Sequence, residues 1–329
     1  MAVRRNMRVT IPGLRGGLIP FAAVIVVLAV LPVLGMPKEW LLYLFLFFIY
    51  LAMANMWNLL AGYSGLICLC PAAFVGVAGY TVAIGTWVGL PFYLGIIAGA
   101  IAAAAFALLI SFPVFRLRGI YFAIGTLVLP EVLKAWFLLW RPVGGVMAGR
   151  GAGYAVKGVA GVSLVEWYWV ALVIGIASIF LMRIILSSKL GLGLAAIRDN
   201  DDTAASSGID VFRLKLYSFV IGAFIMGMAG AIFYSYGGYI EPVGAFNIRW
   251  LLIALLATVI GGEGIKEGPI IGAAIVVILH FLLARYAGIS LLIQGALLII
   301  IMLLAPQGIV GYIQKTRAYR LLLKLATGQ

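Results

Sequence analysis

The chain has 329 residues, of which 65% are hydrophobic and only 10% are charged, and its mean hydropathy is +1.19. Apolar runs of about 18 to 25 residues recur along the whole chain, and each can cross a hydrocarbon layer of roughly 30 Å. This composition excludes a soluble globular protein. The net charge of +13 does not indicate nucleic-acid binding, because the basic residues lie at the ends of apolar runs rather than in one patch.

The apolar runs predict an all-α, polytopic integral membrane protein with roughly ten transmembrane or re-entrant helices in one bundle. No Pro- or Ser-rich linker divides the chain, so we expect residues 1–329 to form a single transmembrane domain. The third run, rich in Gly and Ala around Pro71, and the short eighth run, which continues into "GGEGIKEGP", are candidates for broken or re-entrant elements. The predicted spans are 17–35, 40–61, 67–89, 92–115, 119–140, 167–186, 216–240, 250–262, 269–287 and 289–305.

The Lys and Arg residues predict the orientation of the chain. With ten crossings, fifteen basic residues fall on one side of the membrane and six on the other. The positive-inside rule then places both termini and the loop 187–215 in the cytoplasm, and the membrane is the cytoplasmic (inner) membrane of a prokaryote. The basic N-terminus also fits a cleaved signal peptide, but its long apolar run without a small-x-small site favours an uncleaved span. The fifteen residues are Arg4, Arg5, Arg8, Arg15, Arg116, Arg118, Arg183, Lys189, Arg198, Arg213, Lys215, Lys315, Arg317, Arg320 and Lys324; the six are Lys38, Arg141, Arg150, Lys157, Arg249 and Arg285.

The sequence gives no sign of a metal site or a catalytic site. Cys68 and Cys70 form a C-x-C in an apolar segment, where they pack as small apolar groups, and the only histidine is His280. One histidine and ten carboxylates, most of them in loops, leave too few groups for a nucleophile, a base and an orienting acid. We therefore expect no metal, no bound cofactor and no enzymatic activity in this chain.

Glu131, in "TLVLPEVLKAWF", is the one carboxylate predicted to lie well inside a span. A charge in hydrocarbon costs at least about 2.5 to 3.5 kcal/mol, so Glu131 is expected to face the bundle interior or a watery path and to find a partner. Lys134 lies one helical turn away. Two interpretations stay open, a substrate or proton site and an internal ion pair with Lys134 beside a kink at Pro130.

The segment "GLAAIRDNDDTAASSGIDVFRLK", residues 193–215, is unusually polar for this chain. Asp199 or Asn200 is a candidate N-cap, Asp201 and Asp202 favour the first turn of a helix, and Gly208 suits its end. The segment therefore predicts a short helix of about two turns. Its apolar positions also fit a helix that lies on the membrane surface without a function.

The small residues of this short helix favour a second interpretation. Thr203, Ala204 and Ala205 leave a smooth face that another protein can cover. A helix this short is not stable alone and needs such a contact. We therefore favour a binding role for the segment, with Ile197, Ala204 and Ile209 as its apolar positions.

The run "DTAASSG", Asp202 to Gly208, resembles the E-A-A-x-x-x-G signature in the cytoplasmic loop of ABC-importer permeases. Asp202 takes the place of the acid, Thr203 and Ala204 those of the alanines, and Gly208 that of the glycine. The longer frame "LGLGLAAIRDNDDTAASSGIDVFRLKLYSFVI" is similar to the pattern of branched-chain amino acid permeases. Similar blocks follow in order across nearly the whole chain: "NLLAGYSGLICLCPAAFVGVAGYT" at 58–81, "FRLRGIYFAIGTLVLPEVLK" at 115–134, "GGEGIKEGPIIGA" at 261–273 and "APQGIVG" at 305–311.

The resemblance is to the longer, M-type membrane subunit of that importer. One block departs from the family, which usually has Gln, Ser, Gly and His where this chain has Leu66, Cys68, Cys70 and Pro71. If that block lines the path, the loss of polar groups favours a less polar substrate or a path carried by the partner subunit. Related permeases for urea and short amides share the same architecture and remain an alternative.

The resemblance implies a membrane permease subunit of an ATP-driven importer for branched-chain or related small neutral amino acids. Its implied partners are a homologous permease subunit forming a heterodimer, two cytoplasmic ABC ATPase subunits that use ATP and Mg, and a periplasmic or extracellular substrate-binding protein. The longest outer loop, 141–166, is a candidate docking surface for the binding protein. The residues predicted to couple to the ATPase are Arg198, Asp199, Asn200, Asp202, Thr203, Ala204, Gly208 and Ile209; the candidate path residues are Asn58, Tyr63, Ser64, Tyr80, Thr81, Tyr121, Thr126 and Glu131.

Two functions of other classes stay open. A stand-alone secondary transporter would use Glu131 as an ion or proton carrier and would leave the loop helix without a purpose. A membrane-embedded prenyl- or acyltransferase would use "DNDD" to hold a magnesium–pyrophosphate group, but it needs a second acidic cluster and only Asp210 is near. No G-x-x-x-x-G-K-[ST] nucleotide site is present, and the glycine-rich 261–273 run is interpreted as a close-packed turn between spans.

Overall fold

The computed structural model describes residues 23–144, 149–283, 287–304 and 308–315, and 79% of them are helical. A π-helical turn, Leu59–Tyr63, continues the second helix. A 3₁₀ turn, Arg150–Ala152, precedes the first of two short strands, β1 (Tyr154–Ala155) and β2 (Tyr239–Ile240). The helices are α1 (23–30), α2 (Lys38–Asn58), α3 (Pro71–Trp87), α4 (Phe92–Val114), α5 (Ile120–Leu139), α6 (Leu164–Ser187), α7 (Lys189–Asp199), α8 (Asp201–Ser206), α9 (Val211–Gly237), α10 (Pro242–Ala245), α11 (Arg249–Gly261), α12 (Gly268–Leu283), α13 (Ala287–Leu304) and α14 (Gly308–Lys315).

Within these ranges, seven segments are long and apolar enough to cross a membrane. Two shorter apolar helices, α3 and α12, coincide with the third and ninth predicted spans. The prediction of an all-α, multi-pass membrane protein is therefore confirmed. Much of the first predicted span, 17–35, lies outside the described residues. The seven segments are Lys38–Tyr63, Phe92–Val114, Ile120–Leu139, Leu164–Ser187, Val211–Gly237, Pro242–Gly261 and Leu292–Tyr312.

Both predicted interruptions are present. Residues 65–70 run without helix before α3 begins at Pro71, and residues 246–248 separate α10 from α11. The non-helical backbone at 65–70 is paired inside the protein: Thr126 Oγ1 accepts from the Leu69 N–H at 3.0 Å, and Trp57 Nε1 donates to the Cys68 carbonyl at 2.9 Å. Such internal pairing is what allows irregular backbone at membrane depth.

Four turns meet at one end of the bundle, which we call the basic end. They are the turns at 62–66, 115–119, 187–210 and 262–267, and they are joined by contacts between Arg118 and Asp202 and between Arg198 and Gly62. At the opposite end, the strand end, β1 pairs antiparallel with β2. This grouping of the turns is the one that ten crossings require.

The centre of the bundle is α2, which packs against α6, α9, α11 and α12. In the span that contains α2, 89% of the most apolar stretch is buried, against 22% in α5 at the periphery. α11 and α12 approach closely because glycines lie where they meet: a Cβ on Gly261 would lie 1.9 Å from the Gly268 carbonyl oxygen, and one on Gly272 would lie 1.6 Å from the Ala257 carbonyl oxygen. The interpretation of 261–273 as a close-packed turn is confirmed.

Candidate functional site

The loop between α6 and α9 folds as two helices. The Ser188 side chain accepts from the Leu190 N–H at the start of α7, and Asn200 Oδ1 accepts from the N–H groups of Asp202 and Thr203, both at 2.9 Å. α8 is six residues long and is followed by Gly208, whose φ of +83° favours glycine. The short helix is therefore confirmed, with Asn200 as its N-cap and Asp199 as the last residue of α7.

The two sides of α8 differ in exposure. Ala204 is buried against the bundle, as is Ile197 of α7, whereas Asp202, Thr203 and Ala205 are exposed. Lys215 of α9 forms an ion pair with Asp201, which ties the helix to the bundle. α8 is thus held on its inner side and presents small side chains on its outer side.

Arg198, at the end of α7, connects this loop to the bundle. Its Nη1 donates to the Gly62 carbonyl in the π-helical turn at 2.6 Å. Gly264, in the turn between α11 and α12, lies beside the same guanidinium, since a Cβ there would be 3.1 Å from Arg198 Nη1. Partial burial raises the pKa of the neighbouring Glu263 carboxyl, and the Arg198 charge acts in the opposite direction. Arg198 therefore joins three separate turns.

Asn58 is the second link at the basic end. Its side chain is fully buried; Oδ1 accepts from the Gly264 N–H at 2.8 Å, and Nδ2 donates to the Ile265 carbonyl at 3.0 Å. It immediately precedes the π-helical turn that contains Gly62. π-Helical turns occur often at functional sites. A continuous series of contacts therefore connects the loop that contains α8, through Arg198, Gly62 and Asn58, to the 262–267 turn.

Four of the predicted path residues lie near this end. The Ser64 hydroxyl donates to the Leu60 carbonyl at 2.6 Å, and Tyr63 is half-buried in the same turn as Gly62. Thr126, fully buried in α5, holds the irregular segment 65–70 in place. Together with Asn58 these residues surround that segment, and each of the three short polar side chains is bonded to backbone.

The other four path residues do not belong to this group and do not form a site of their own. Tyr80 stacks on Phe246 towards the strand end, and its buried hydroxyl has no hydrogen-bond partner among the described residues. Thr81 lines the same apolar cavity of about 560 Å³ as Tyr80, between α3, α4 and α5. Tyr121 is exposed on α5.

Glu131 does not lie where the sequence predicted. It forms the expected ion pair with Lys134, but its side chain is 60% exposed on the outer surface of the chain and does not face the interior of this bundle. Lys134 is 28% exposed. The sequence indicates the pair by its spacing but contains no signal for the side of α5 on which the pair lies.

A cavity of about 460 Å³ lies between α8 and the bundle, and sequence reasoning missed it. Charged side chains from two turns and from α9 line it, among them Arg118, Arg198, Asp202 and Lys215. Sequence reasoning used Arg118 and Lys215 only as markers of orientation. Among the residues that the structure describes, no three His, Cys, Asp or Glu side chains lie close enough to hold a metal ion.

The family model "Branched-chain amino acid transport system / permease component" matches residues 40–305, from near the start of α2 to the end of α13. The chain belongs to this family. The permease is 29% identical over 313 residues to the high-affinity branched-chain amino acid transport system permease protein LivM of Salmonella typhimurium, covering 85% of this chain and 71% of the relative. It is 29% identical over 293 residues to LivM of Escherichia coli K12, covering 79% of this chain and 67% of the relative.

A second kind of relative matches a shorter region. The permease is 31% identical over 138 residues to the high-affinity branched-chain amino acid transport system permease protein LivH of Escherichia coli K12, covering 41% of this chain and 44% of the relative. No solved structure matches the chain significantly. The family assignment makes the permease a membrane transport subunit and not an enzyme.

Proposed function

We propose that this permease is the M-type subunit of an ATP-driven importer and that a second, homologous permease completes the translocation path. The similarity to LivM proteins extends over most of the chain, and the shorter similarity to LivH supports a partner of the same ancestry. The substrate class is branched-chain or related small neutral amino acids. The apolar segment 65–70 near the candidate path supports a substrate with an apolar side chain.

The outer side of α8 is the docking surface for a cytoplasmic ABC ATPase. The observation that carries this proposal is the arrangement of α8, a capped helix with small exposed residues. Its Asp201 and Asp202 pair with Lys215 of α9 and Arg118 of the 115–119 turn, and the preceding helix α7 is bonded through Arg198 to Gly62. A movement of the ATPase would displace α8, and Arg198 would pass the displacement to Gly62. ATP and Mg are used by the ATPase subunits, and this chain binds no cofactor.

The orientation follows from the charges. The basic end, with both termini, lies in the cytoplasm, and the membrane is the inner membrane of a prokaryote. The strand end then faces outwards and receives a substrate-binding protein. Its surface is ordered by pairing between β1 and β2 and by Lys157, which lies 3.7 Å over the Trp87 ring. The proposed docking loop is thus fixed to the bundle over residues 149–163.

Co-purification with the ATPase subunits tests the docking surface. The permease is expressed with candidate ATPase subunits, as wild type and as the double variant Thr203→Arg/Ser206→Arg, at two exposed positions of α8 that do not line the cavity. The matched control is Gly161→Arg at the strand end, an exposed glycine with open space around it. We expect the wild type and the control to retain the ATPases and the double variant to lose them.

A double variant that retains the ATPases would overturn the docking proposal.

Uptake of labelled leucine into proteoliposomes containing the complete importer tests the substrate class, with urea and acetamide as competitors. Competition by valine and isoleucine but not by urea supports the amino-acid assignment, and competition by urea alone contradicts it. Uptake that persists without nucleotide would instead support a secondary transporter.

A further inference from the structure

The exposed ion pair on α5 indicates which surface of the permease is covered by another protein. Glu131 is the twelfth residue of α5, roughly 16 Å from its start, and therefore lies near the middle of the span. A carboxylate on a short side chain cannot reach the membrane surface from this depth. Charged side chains at the bilayer centre face protein or water and are not exposed to lipid.

The surroundings of the pair distinguish protein from water. We call the exposed ridge formed by Ile124, Val128, Glu131, Val132 and Ala135 the outer face of α5. Its residues follow helical spacing, and all except Glu131 are aliphatic; Val128 and Val132 are 51% and 59% exposed. One charged pair within an aliphatic ridge fits a helix–helix contact with a single polar link, whereas the wall of a watery path would carry several polar groups.

The charge of the pair specifies the chemistry of the neighbour. Lys134 is largely covered, whereas the Glu131 carboxylate remains open to the outside and accepts hydrogen bonds. Within the described ranges, α1 packs at α6, where Tyr168 donates to the Leu28 carbonyl at 2.7 Å, so it does not cover α5. The neighbour is therefore expected to present a hydrogen-bond donor at mid-membrane depth.

We propose that the outer face of α5 packs against a membrane-spanning helix of the second permease subunit and that Glu131 accepts a hydrogen bond from a donor on that helix. This inference rests on the proposed function, which supplies the second permease. It places α5 at the permease–permease contact, with Lys134 as the ion-pair partner of Glu131 within this chain. Loss of the pair would thus weaken assembly without removing the ATPase docking surface at α8.

Site-specific photo-cross-linking in the assembled importer tests the contact. Benzoylphenylalanine is placed at Val132 on the outer face of α5 or, as a matched control, at Val173 in α6, which is similarly exposed. After irradiation we expect a cross-link to the second permease from Val132 and none from Val173. A lack of cross-linking from Val132 in an importer that contains both permeases would overturn the proposal, as would cross-linking to another copy of this chain.

A charge-swapped variant tests the role of Glu131 separately. Glu131→Lys/Lys134→Glu preserves an internal ion pair and so should fold, but it places a cation where the partner's donor points. We expect it to retain about tenfold less of the second permease than the wild type does, while Glu131→Gln retains most of it. Normal assembly of the swapped variant would overturn the proposal. If the wild type itself co-purifies with no second permease and no ATPase, the proposed function fails instead.

Discussion

The two ends of the bundle are held together in different ways. At the basic end, single side chains link turns that are far apart in sequence, and Arg198 and Gly62 are 136 positions apart. At the strand end, β1 pairs with β2, Trp87 donates to the Ala155 carbonyl at 2.8 Å, and aromatic rings pack edge to face against Tyr154. A few side-chain hydrogen bonds can break and form again with other partners, whereas paired backbone and packed rings fix a single conformation. We therefore expect movement within one subunit to occur at the basic end.

Asn58 gives the largest expected effect. The variant Asn58→Leu leaves the Gly264 N–H and the Ile265 carbonyl without their partner, at a cost of about 1–3 kcal/mol for each buried group. We expect a strong loss of folded permease and of ATP-dependent uptake, measured by thermal unfolding in detergent and by transport in proteoliposomes. Asn58→Asp retains the acceptor for Gly264 and should be intermediate. Equal stability of Asn58→Leu and the wild type would contradict the role of this link.

Arg198 gives the next largest effect and separates coupling from stability. Arg198→Ala removes the bond to the Gly62 carbonyl but leaves the exposed side of α8 unchanged. We expect ATPase binding to persist while uptake per ATP hydrolysed falls about tenfold. The matched control Arg116→Ala, at an exposed arginine of the same end, should couple normally. An unchanged ratio of uptake to hydrolysis in Arg198→Ala would contradict the account.

A change at Trp87 tests whether contacts at the strand end affect coupling. Trp87→Phe removes the hydrogen bond to the Ala155 carbonyl and weakens the contact with Lys157. The cost is about 0.5–1.5 kcal/mol, which lowers the unfolding temperature by a few degrees at most. Uptake per ATP should not change. A coupling defect as large as that of Arg198→Ala would show that the two ends do not differ as described.

Glu263 gives the smallest effect, which depends on pH. Because partial burial raises the pKa of this carboxyl, the folded protein binds the proton more tightly than the unfolded chain does. Stability therefore falls as the pH rises from the ordinary glutamate pKa through the raised one, and the penalty is complete above that. Glu263→Gln should be slightly more stable than the wild type at neutral pH, and this gain should shrink as the pH falls through the raised pKa and be lost below about 4.5. Thermal unfolding of the two proteins at neutral pH and below about pH 4.5 measures this gain. An equal difference in stability at the two pH values would contradict the burial of the charge.

Much of the fold follows from local patterns in the sequence. The apolar runs predict the helices, Pro71 and the short eighth run predict the interruptions, and the Asn, Asp and Gly residues around α8 predict its start and end. These features depend on neighbouring residues only. The predicted coupling and path assignments themselves remain predictions.

The links between turns could not be predicted in the same way. Asn58 is a polar residue at the end of an apolar run, and nothing local indicates that both its amide atoms bond to residues near 264. The side of α5 that Glu131 faces depends equally on packing between distant helices. The sequence identifies these residues as unusual for their surroundings, and the structure identifies their neighbours.

The most direct test measures two distances within one subunit of the assembled importer. Spin labels are placed at Leu192 and Ile120, both exposed near the basic end, and in a second sample at Val88 and Gly161, both exposed at the strand end. If coupling runs through the basic end, a non-hydrolysable ATP analogue shifts the Leu192–Ile120 distance and leaves the Val88–Gly161 distance unchanged. A shift at the strand end alone, or no shift at either end while the ATPases close, would contradict coupling through the basic end.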